Sequence, residues 1–285
     1  MDIAVLGMGR MGQALAGCLL EGGHRVRVWN RTTGKAGRLV SAGAEEARSV
    51  AEAVHGAGVV VTMLADDAAV RAVALGELRA SLDASTSYVD CSTVSPALSG
   101  ELAEVFPRFV AMPVIGGPAA VSARQAVWLV GGDADRVDRL GPMIYSLSDT
   151  VRRYDTAPLA LTAKLTTNLL LLSGVVALAE AFAVGRSGGL EDDQLRDLLG
   201  ASPVVAPGLH NRFDSVLTGT PDGWWTTALG AKDAGLALEI ACAAGVELPQ
   251  AEVVRHLYEA AASRHADADI SVVTDLYRRQ APTTS

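Results

Sequence analysis

The stretch IAVLGMGRMGQALAGCLLEGG, residues 3–23, decides the fold that this chain is expected to adopt. A short apolar run at 3–7 leads into a glycine-rich turn, and apolar residues of helical period follow. The turn has the spacing G-x-G-x-x-G, in which the first glycine permits a tight turn, the second lets a pyrophosphate approach the backbone, and the third lets helix and strand pack closely. The N–H groups at the start of the helix suit phosphates, so the motif predicts dinucleotide binding, with a merely structural turn as the alternative. The predicted cofactor contacts are Gly7, Met8, Gly9, Arg10, Met11 and Gly12.

The end of the second predicted strand should decide which dinucleotide binds. An NAD site usually places a carboxylate there, about 20 residues after the glycines, against the ribose 2′-hydroxyl. This chain has Asn30, Arg31 and Thr32 instead. Nothing in this triplet would repel a 2′-phosphate, and the Arg31 guanidinium could pair with it. We therefore predict NADP as the cofactor, with NADPH bound more tightly than NADH; the alternative is that Arg31 is a solvated surface residue.

The first half of the chain continues to alternate short apolar runs with helical patterns. This alternation predicts an α/β domain with a doubly wound parallel sheet, which we place at residues 1–157. The further predicted strands are RVRVWN (25–30), VVVTML (59–64), YVDCS (88–92), FVAMPV (109–114) and VWLVGG (127–132).

The second half contains almost nothing that resembles a strand. Apolar residues recur there at helical spacing, which predicts an all-α domain at residues 158–285. A connection rich in Gly, Pro and Trp lies at about 202–226. The predicted helices cover residues 160–188, 191–200, 228–245, 249–263 and 270–279.

The composition argues against several functions. The net charge is −8 and the basic residues form no cluster, so we expect no nucleic-acid partner. Cys18, Cys91 and Cys242 lie in apolar sequence and are expected to be reduced core residues of a cytoplasmic protein. Neither the cysteines nor the histidines have metal-ligand spacing, and the N-terminus lacks a signal-peptide pattern. The apolar tract 162–185 could span a membrane by length, but the polar residues within it favour a buried helix.

Lys164 and Asn168 stand one helical turn apart in this tract and should share a helix face. In one interpretation Lys164 reaches water from a helix end while Asn168 caps or packs. In the other, both face the mouth of the cofactor cleft. A lysine there could stabilise the charge that builds on a carbonyl oxygen as hydride arrives, and could deliver the proton. Spacing alone leaves both interpretations open.

Blocks of sequence in a consistent order make the chain resemble the β-hydroxyacid dehydrogenase family, which includes 3-hydroxyisobutyrate dehydrogenase, glyoxylate and succinic semialdehyde reductases, and 6-phosphogluconate dehydrogenase. The match extends over nearly the whole length. It implies a Rossmann-type N-terminal domain, an all-α C-terminal domain and a homodimer formed through the helical domain. The blocks are VLGMGRMGQALA (5–16), VWNRT (28–32), VVTML (60–64), VDCSTVSP (89–96), MPVIGGPAA (112–120), AKLTTNLLLL (163–172) and WTTALGAKDAGLAL (225–238).

The resemblance also implies roles for single residues. Lys164 takes the position of the family's catalytic lysine, and Asn168 that of the asparagine that orients the substrate. Lys232 and Asp233 match a lysine–aspartate pair, with Lys232 assigned to the cofactor and Asp233 to the substrate. Further cofactor contacts are implied for Met63, Leu64 and Thr93, and further substrate contacts for Ser92, Gly116, Gly117 and Trp225.

Ile115 departs from the hydroxyacid pattern. The family loop usually reads P-V-S-G-G, with the serine touching the acid, whereas residues 113–117 read P-V-I-G-G here. Isoleucine cannot donate a hydrogen bond, and an isoleucine before glycine in this loop resembles the imine reductases. Those enzymes share the fold but generally lack a lysine at the position of Lys164. We expect Ile115 to line the substrate site.

Together these features predict an NADP-dependent oxidoreductase acting on a small molecule. It would transfer hydride between the nicotinamide and a small carbonyl compound or the matching β-hydroxy acid, with Lys164 as general acid/base. Reduction of an imine with NADPH is the first alternative, and a non-catalytic NADP-binding protein is the second.

Overall fold

The structure, a computed structural model, describes residues 1–278 of the chain. The chain divides into two compact units, Met1–Lys164 and Leu165–Ser285. The boundary predicted at 157/158 falls at the first residues of the long helix within which the units divide. Residue 279, predicted as the end of the last helix, lies outside the described residues.

A nine-stranded sheet forms the centre of the first unit. The strand order is β3-β2-β1-β4-β5-β6-β8-β7, with β9 paired to β8. Pairing is parallel from β3 to β6, and β8 runs antiparallel to β6 and β7. The expected doubly wound sheet is confirmed, with a mixed edge. The strands are β1 (Asp2–Leu6), β2 (Arg25–Trp29), β3 (Glu45–Glu46), β4 (Val59–Thr62), β5 (Ser87–Asp90), β6 (Phe109–Ala111), β7 (Val114–Ile115), β8 (Val127–Gly131) and β9 (Val151–Tyr154).

Three of these strands, β3, β7 and β9, were not predicted as separate strands, and the local sequence explains each case. β3 is two exposed glutamates, and β9 reads VRRY with two exposed arginines, so neither presents an apolar run. The predicted strand 109–114 is divided into β6 and β7. Pro113 lies at the division, where a residue without an N–H group cannot continue a hydrogen-bonded ladder.

Alternate residues of the central strands fill two cores, one on each face of the sheet. On β1, Ile3 and Val5 pack on one face and Leu6 packs on the other. The helices that cover these faces are α1 (Arg10–Glu21), α2 (Gly37–Ser41), α3 (Val50–Val54), α4 (Asp67–Arg71), α5 (Arg79–Ser81), α6 (Pro96–Val105), α7 (Pro118–Ser122), α8 (Ala134–Arg139) and α9 (Gly141–Leu147), with a π-helical segment at Ala72–Leu78.

The second unit is helical, as expected. The connection predicted at 202–226 holds a 3₁₀ helix, Pro207–Arg212, and one short α-helix, and the final predicted helix is a 3₁₀ helix, Ile270–Tyr277. The α-helices of this half of the chain are α10 (Ala157–Ser187), α11 (Asp192–Gly200), α12 (Phe213–Thr218), α13 (Thr227–Ala243) and α14 (Pro249–His265).

Helix α10 is apolar on nearly all sides. Among the described residues it alone is long and apolar enough to cross a membrane, judged by length and composition. Leu172, Val175 and Phe182 of this helix pack in the core of the second unit, which accounts for its apolar character without a membrane. Outward-facing apolar side chains remain on it, and Leu170 is 77% exposed.

The expectation that all three cysteines are core residues is wrong for one of them. Cys18 and Cys91 are buried, but Cys242 is exposed. Cys242 lies one residue before the end of α13, where the preceding apolar sequence no longer faces the core.

Candidate active site

The glycine-rich turn between β1 and α1 has the shape that its sequence predicts. Gly7 has a φ of +110°, and a Cβ there would clash with the Met63 carbonyl oxygen. A Cβ on Gly12 would clash with the Gly7 carbonyl oxygen. A Cβ on Gly9 would meet nothing within 4 Å. Packing thus requires Gly7 and Gly12, whereas Gly9 faces open space that can receive a ligand.

The start of α1 lies beside that open space. Gly9 is the N-cap residue, so no side chain caps the helix, and its first turn carries no acidic residue. The N–H groups of the first turn remain available to an anion, and the helix dipole favours negative charge there. The turn therefore fits the pyrophosphate of a dinucleotide.

Asn30 connects this turn to the loop after β2. Its Oδ1 accepts a hydrogen bond from the Met8 N–H at 2.9 Å, and its Nδ2 donates to the Thr32 carbonyl at 2.8 Å. Both ends of the amide are engaged within the protein, so Asn30 fixes the two loops relative to each other. Arg31 and Thr32 are exposed, and no ion pair involving Arg31 is present in the described part of the chain.

A buried hydrogen-bond network joins the carboxyl ends of β4 and β5. Asp90 Oδ1 accepts from Thr62 Oγ1 at 2.7 Å and from Ser92 Oγ at 2.6 Å. Ser92 Oγ in turn accepts from the Leu64 N–H at 2.9 Å. Burial raises the pKa of the Asp90 carboxyl, against the opposing effect of the hydrogen bonds from Ser92 and Thr62. The Ser92 hydroxyl is thus fully engaged in holding the loops after β4 and β5 together.

The loop from β7 to α7 presents the glycines expected at the substrate. Ile115 is half-buried and pairs with Val127 of β8. Gly116 has a φ of +131°, and a Cβ there would lie 3.1 Å from the Ala120 Cβ, so this position favours glycine. Gly117 is the N-cap of α7, with Pro118 following at the first helical position.

Within the second unit, Asp233 gathers two of the predicted site residues. Asn168 Nδ2 donates to Asp233 Oδ2 at 2.8 Å, and Lys232 Nζ lies 3.0 Å from Asp233 Oδ1. Asn168 and Asp233 are 5% and 3% exposed. The carboxylate therefore orients the Asn168 amide and the Lys232 ammonium at the same time.

Lys164 lies one turn before Asn168 on α10 and is 9% exposed. A lysine with so little exposure is not a side chain extended into water from a helix end, so the first of the two sequence interpretations does not describe it. Lys164 also has interactions within the protein. A largely buried lysine on the helix face that carries Asn168 is the kind of residue that can serve as a general acid.

Trp225 belongs to a second buried cluster of the same unit. It is 6% exposed and stacks on Trp224, with ring centroids 5.9 Å apart. The Arg212 guanidinium carbon lies 4.8 Å from the Trp224 ring centroid, and Arg212 forms a buried ion pair with Asp269. The Arg212–Asp269 ion pair therefore supports the segment that carries both tryptophans, through the contact of Arg212 with Trp224.

Two family models together match almost the whole chain. Residues 2–155 match the NAD binding domain of 6-phosphogluconate dehydrogenase, and residues 160–277 match the NAD-binding domain of NADP-dependent 3-hydroxyisobutyrate dehydrogenase. The protein belongs to the β-hydroxyacid dehydrogenase family. Members of such a family are NAD(P)-dependent oxidoreductases that act on CH–OH groups, and this chain is an enzyme of that kind.

Individual members of the β-hydroxyacid dehydrogenase family are similar over their full lengths. An NAD-dependent L-serine dehydrogenase of Pseudomonas aeruginosa is 32% identical over 97% of both chains. A 3-hydroxyisobutyrate dehydrogenase of the same organism is 31% identical over 97% of this chain and 98% of its own. The structure of the Mycobacterium tuberculosis 3-hydroxyisobutyrate dehydrogenase with L-serine is 28% identical, has a TM-score of 0.85, and aligns over 98% of this chain and 99% of that one.

Imine reductases share the fold of this protein. The structure of an imine reductase from Bacillus cereus aligns over 98% of this chain and 99% of its own with a TM-score of 0.61, at 20% identity. At that identity the likeness concerns the fold alone.

Several residues that organise the protein are not indicated by any of its sequence motifs. Asp90 lies within a predicted strand, and an aspartate among apolar strand residues indicates a buried, hydrogen-bonded carboxylate. Arg212 and Asp269 are 57 residues apart, and no local pattern connects them. No group of three or more His, Cys, Asp or Glu residues within 1–278 could hold a metal ion.

Proposed function

We propose that the protein is an NADP-dependent oxidoreductase that transfers hydride between the nicotinamide and a small carbonyl compound or the matching β-hydroxy acid. The observation that carries the proposal is the buried Lys164 one helical turn before Asn168, whose amide is fixed by Asp233. The bound cofactor supplies the hydride and accepts it in the reverse direction. The chain's own residues position the substrate and manage the proton.

Lys164 is the proposed general acid/base. In reduction, its ammonium stabilises negative charge on the substrate oxygen and delivers the proton; in oxidation, the neutral amine accepts that proton. Asn168 orients the substrate, and Asp233 keeps the Asn168 amide in one orientation by accepting its Nδ2–H. Lys232 is paired with the same carboxylate and is proposed to contact the cofactor.

The preference for NADP is proposed from the loop after β2. Arg31 is exposed and carries no carboxylate partner within residues 1–278, so its guanidinium can pair with a 2′-phosphate. Asn30 supports the same loop through Thr32. The relatives' names include both NAD-dependent and NADP-dependent enzymes, so the choice needs a direct measurement of both affinities.

Ile115 supports a substrate larger or less charged than 3-hydroxyisobutyrate. The half-buried isoleucine offers apolar surface where a serine would donate a hydrogen bond to a carboxylate. The N–H groups around Gly116 and Gly117 remain as possible contacts for an acid. The same residue favours imine reduction as the second candidate function, because an imine carries no carboxylate that needs the missing hydroxyl.

A substrate panel tests the proposal. NADPH oxidation is followed with aldehydes, keto acids and cyclic imines, using the unmodified protein and Lys164→Ala. We expect the highest kcat/KM with a carbonyl substrate and loss of that activity in the variant. Preferred turnover of an imine that survives Lys164→Ala would instead establish the second candidate. If no panel member is turned over, the protein would bind NADP without catalysing a reaction on it, and this result would contradict the proposal.

A homodimer through α10 is also proposed. Leu170 is 77% and Val184 is 74% exposed, and their spacing of fourteen residues places them on one side of the helix. A second copy of the chain could cover this apolar strip. Light scattering should show a dimer, and Leu170→Glu should convert it to monomers, whereas Leu198→Glu on the exposed side of α11 should not. A monomer in the unmodified protein would refute this part of the proposal.

We propose a cytoplasmic location as well. Cys18 and Cys91 are buried free thiols, which suits a reducing compartment. Cell fractionation with an antibody against the protein is the direct check, and recovery in a secreted fraction would refute it.

A further inference from the structure

Asp90 stands out as a buried carboxylate to which no role has been assigned. It is the last residue of β5 and is 1% exposed. In the parallel register Asp90 pairs with Thr62, the last residue of β4, so the two side chains lie side by side at the carboxyl edge of the sheet. Ligands of open α/β sheets bind outside this edge.

The position of Asp90 along the sheet indicates which half of the cofactor lies nearest. The strand order reverses between β1 and β4, and a dinucleotide crosses the sheet edge at that point. The loop after β2 reads the adenosine ribose, so the adenosine half extends over β1 and β2. The nicotinamide half must then extend over β4 and β5, where the loops after Thr62 and Asp90 begin.

The hydrogen bonds around Asp90 all point toward its carboxylate. The Leu64 N–H donates to Ser92 Oγ, and the Ser92 hydroxyl donates to Asp90 Oδ1. The Thr62 hydroxyl donates to the same oxygen, which leaves Thr62 Oγ1 to accept from Tyr88 at 3.0 Å. The Ser92 N–H adds a third contact to this oxygen at 3.1 Å. One carboxylate oxygen thus orients a chain of donors that reaches both loops.

We infer that Asp90 is a positioning residue for the nicotinamide half of the cofactor. It fixes the loop that begins at Met63 and Leu64 against the loop of Ser92 and Thr93, and so keeps the nicotinamide pocket in its binding geometry. The inference rests on the proposed dinucleotide-dependent function but not on the choice between NAD and NADP. It assigns Ser92 to the same network, as the link between Asp90 and the Leu64 backbone.

The test compares a whole cofactor with a fragment that lacks the nicotinamide. Dissociation constants are measured by calorimetry for NADPH and for 2′-phospho-ADP-ribose, with the unmodified protein, Asp90→Asn and Ser92→Ala. We expect each variant to weaken NADPH binding by about tenfold, roughly 1.4 kcal/mol, and the fragment by less than about twofold. Asp90→Asn keeps an acceptor oxygen but loses the charge that strengthens the hydrogen bonds.

A matched control lies at the other end of the same strand. Thr86 precedes β5, is 4% exposed and donates a hydrogen bond to the Ala57 carbonyl at 2.9 Å. Thr86→Val removes a buried hydrogen bond of the same sheet but should leave both affinities unchanged. If Asp90→Asn does not fold, Ser92→Ala carries the test, because it leaves the carboxylate and its contacts with Thr62 and the Ser92 N–H in place and removes only the hydroxyl that links Asp90 to Leu64.

The possible results separate the two proposals. Equal weakening of NADPH and fragment in the variants, or no weakening of either, would overturn the inference about Asp90. A preference of the unmodified protein for NADH would overturn the NADP proposal only, and the same comparison with NADH and ADP-ribose would then test Asp90. Additive effects in the Asp90→Asn/Ser92→Ala double variant would also contradict a shared network, since residues of one network couple.

Discussion

The cofactor turn of the first unit and the buried polar cluster of the second unit are built in opposite ways. The turn uses backbone N–H groups and glycines within a few positions of each other, and Asn30 adds one side-chain amide. The second unit instead uses buried polar and charged side chains that come from distant positions in the sequence. Asn168 and Asp233 are 65 residues apart, and Arg212 and Asp269 are 57 apart.

This difference has energetic consequences. Backbone groups keep their positions when a neighbouring side chain is replaced, so single substitutions in the turn, except at Gly7 and Gly12, should affect one ligand contact at a time. A buried charge whose partner is removed keeps its desolvation cost and loses its compensation. Substitutions of buried polar residues, both Lys164 at the end of the first unit and the paired side chains of the second, should therefore have larger effects, on catalysis or on stability, than substitutions around the cofactor.

The largest expected effect is on catalysis, at Lys164. Lys164→Ala should lower kcat by roughly 10²–10⁴-fold, because the proposed proton donor is lost. The dissociation constant of NADPH should change little, since the glycine turn and the loop after β2 are intact. Steady-state kinetics and cofactor titration measure the two quantities. Activity near that of the unmodified protein would show that Lys164 is not the general acid.

The next largest effect is on stability, at Arg212. Arg212→Met should lower the free energy of unfolding by about 3–5 kcal/mol, because Asp269 is left charged and buried. Adding Asp269→Asn should restore part of the loss. Urea denaturation measures both variants.

An exposed ion pair of the first unit serves as control for Arg212. Arg25 and Asp2 form an ion pair with side chains 83% and 45% exposed, and Arg25→Met should leave the denaturation midpoint unchanged. If Arg212→Met were as neutral as the control, the buried pair would not hold the tryptophan segment, and the contrast between the two units would fail.

The contrast also explains what could be predicted from sequence. The turn after β1 is a contiguous motif whose residue types are dictated by backbone geometry, so Gly7 and Gly12 could be interpreted directly. The strands of the central sheet were predictable because each is a short run in which apolar residues dominate or alternate with polar ones, as in RVRVW of β2. β9 was not, because pairing with β8 alone leaves its arginines exposed and its sequence polar.

The polar network of the second unit could be predicted only in part. The spacing of Lys164 and Asn168 indicated a shared helix face, but Asp233, the partner of Asn168, belongs to a different helix and came only from the family resemblance. No sequence pattern indicated that Arg212 would be buried in an ion pair. Arg212 meets Asp269 because the 3₁₀ helix Pro207–Arg212 packs against the chain near Asp269, and a single sequence does not reveal such packing.

A smaller effect is expected in the cofactor loop of the first unit. Arg31→Ala should weaken NADPH binding by about tenfold to a hundredfold, the value of a charge-assisted contact of about 1.5–3 kcal/mol. NADH binding should hardly change. Fluorescence titration with both cofactors measures the difference. Arg152→Ala is the matched control, because it removes an exposed arginine from β9, which lies far from β2 in the strand order of the sheet. Equal affinity of the unmodified protein for NADPH and NADH would contradict the assignment of Arg31.

The smallest effect is expected at Ile115, the side chain of the first unit that we propose takes part in substrate choice. Ile115→Ser should raise kcat/KM for small β-hydroxy acids relative to bulkier, more apolar substrates by roughly tenfold, because a hydrogen bond to a carboxylate is gained and apolar surface is lost. Ile115→Val, which trims the side chain without adding a donor, separates these two causes: it should disfavour the bulkier substrates slightly and leave the small acids unimproved. If the unmodified protein already turns over 3-hydroxyisobutyrate or L-serine with high specificity, the backbone around Gly116 and Gly117 suffices for the carboxylate. Ile115 would then be a packing residue, and substrate choice would rest with the second unit.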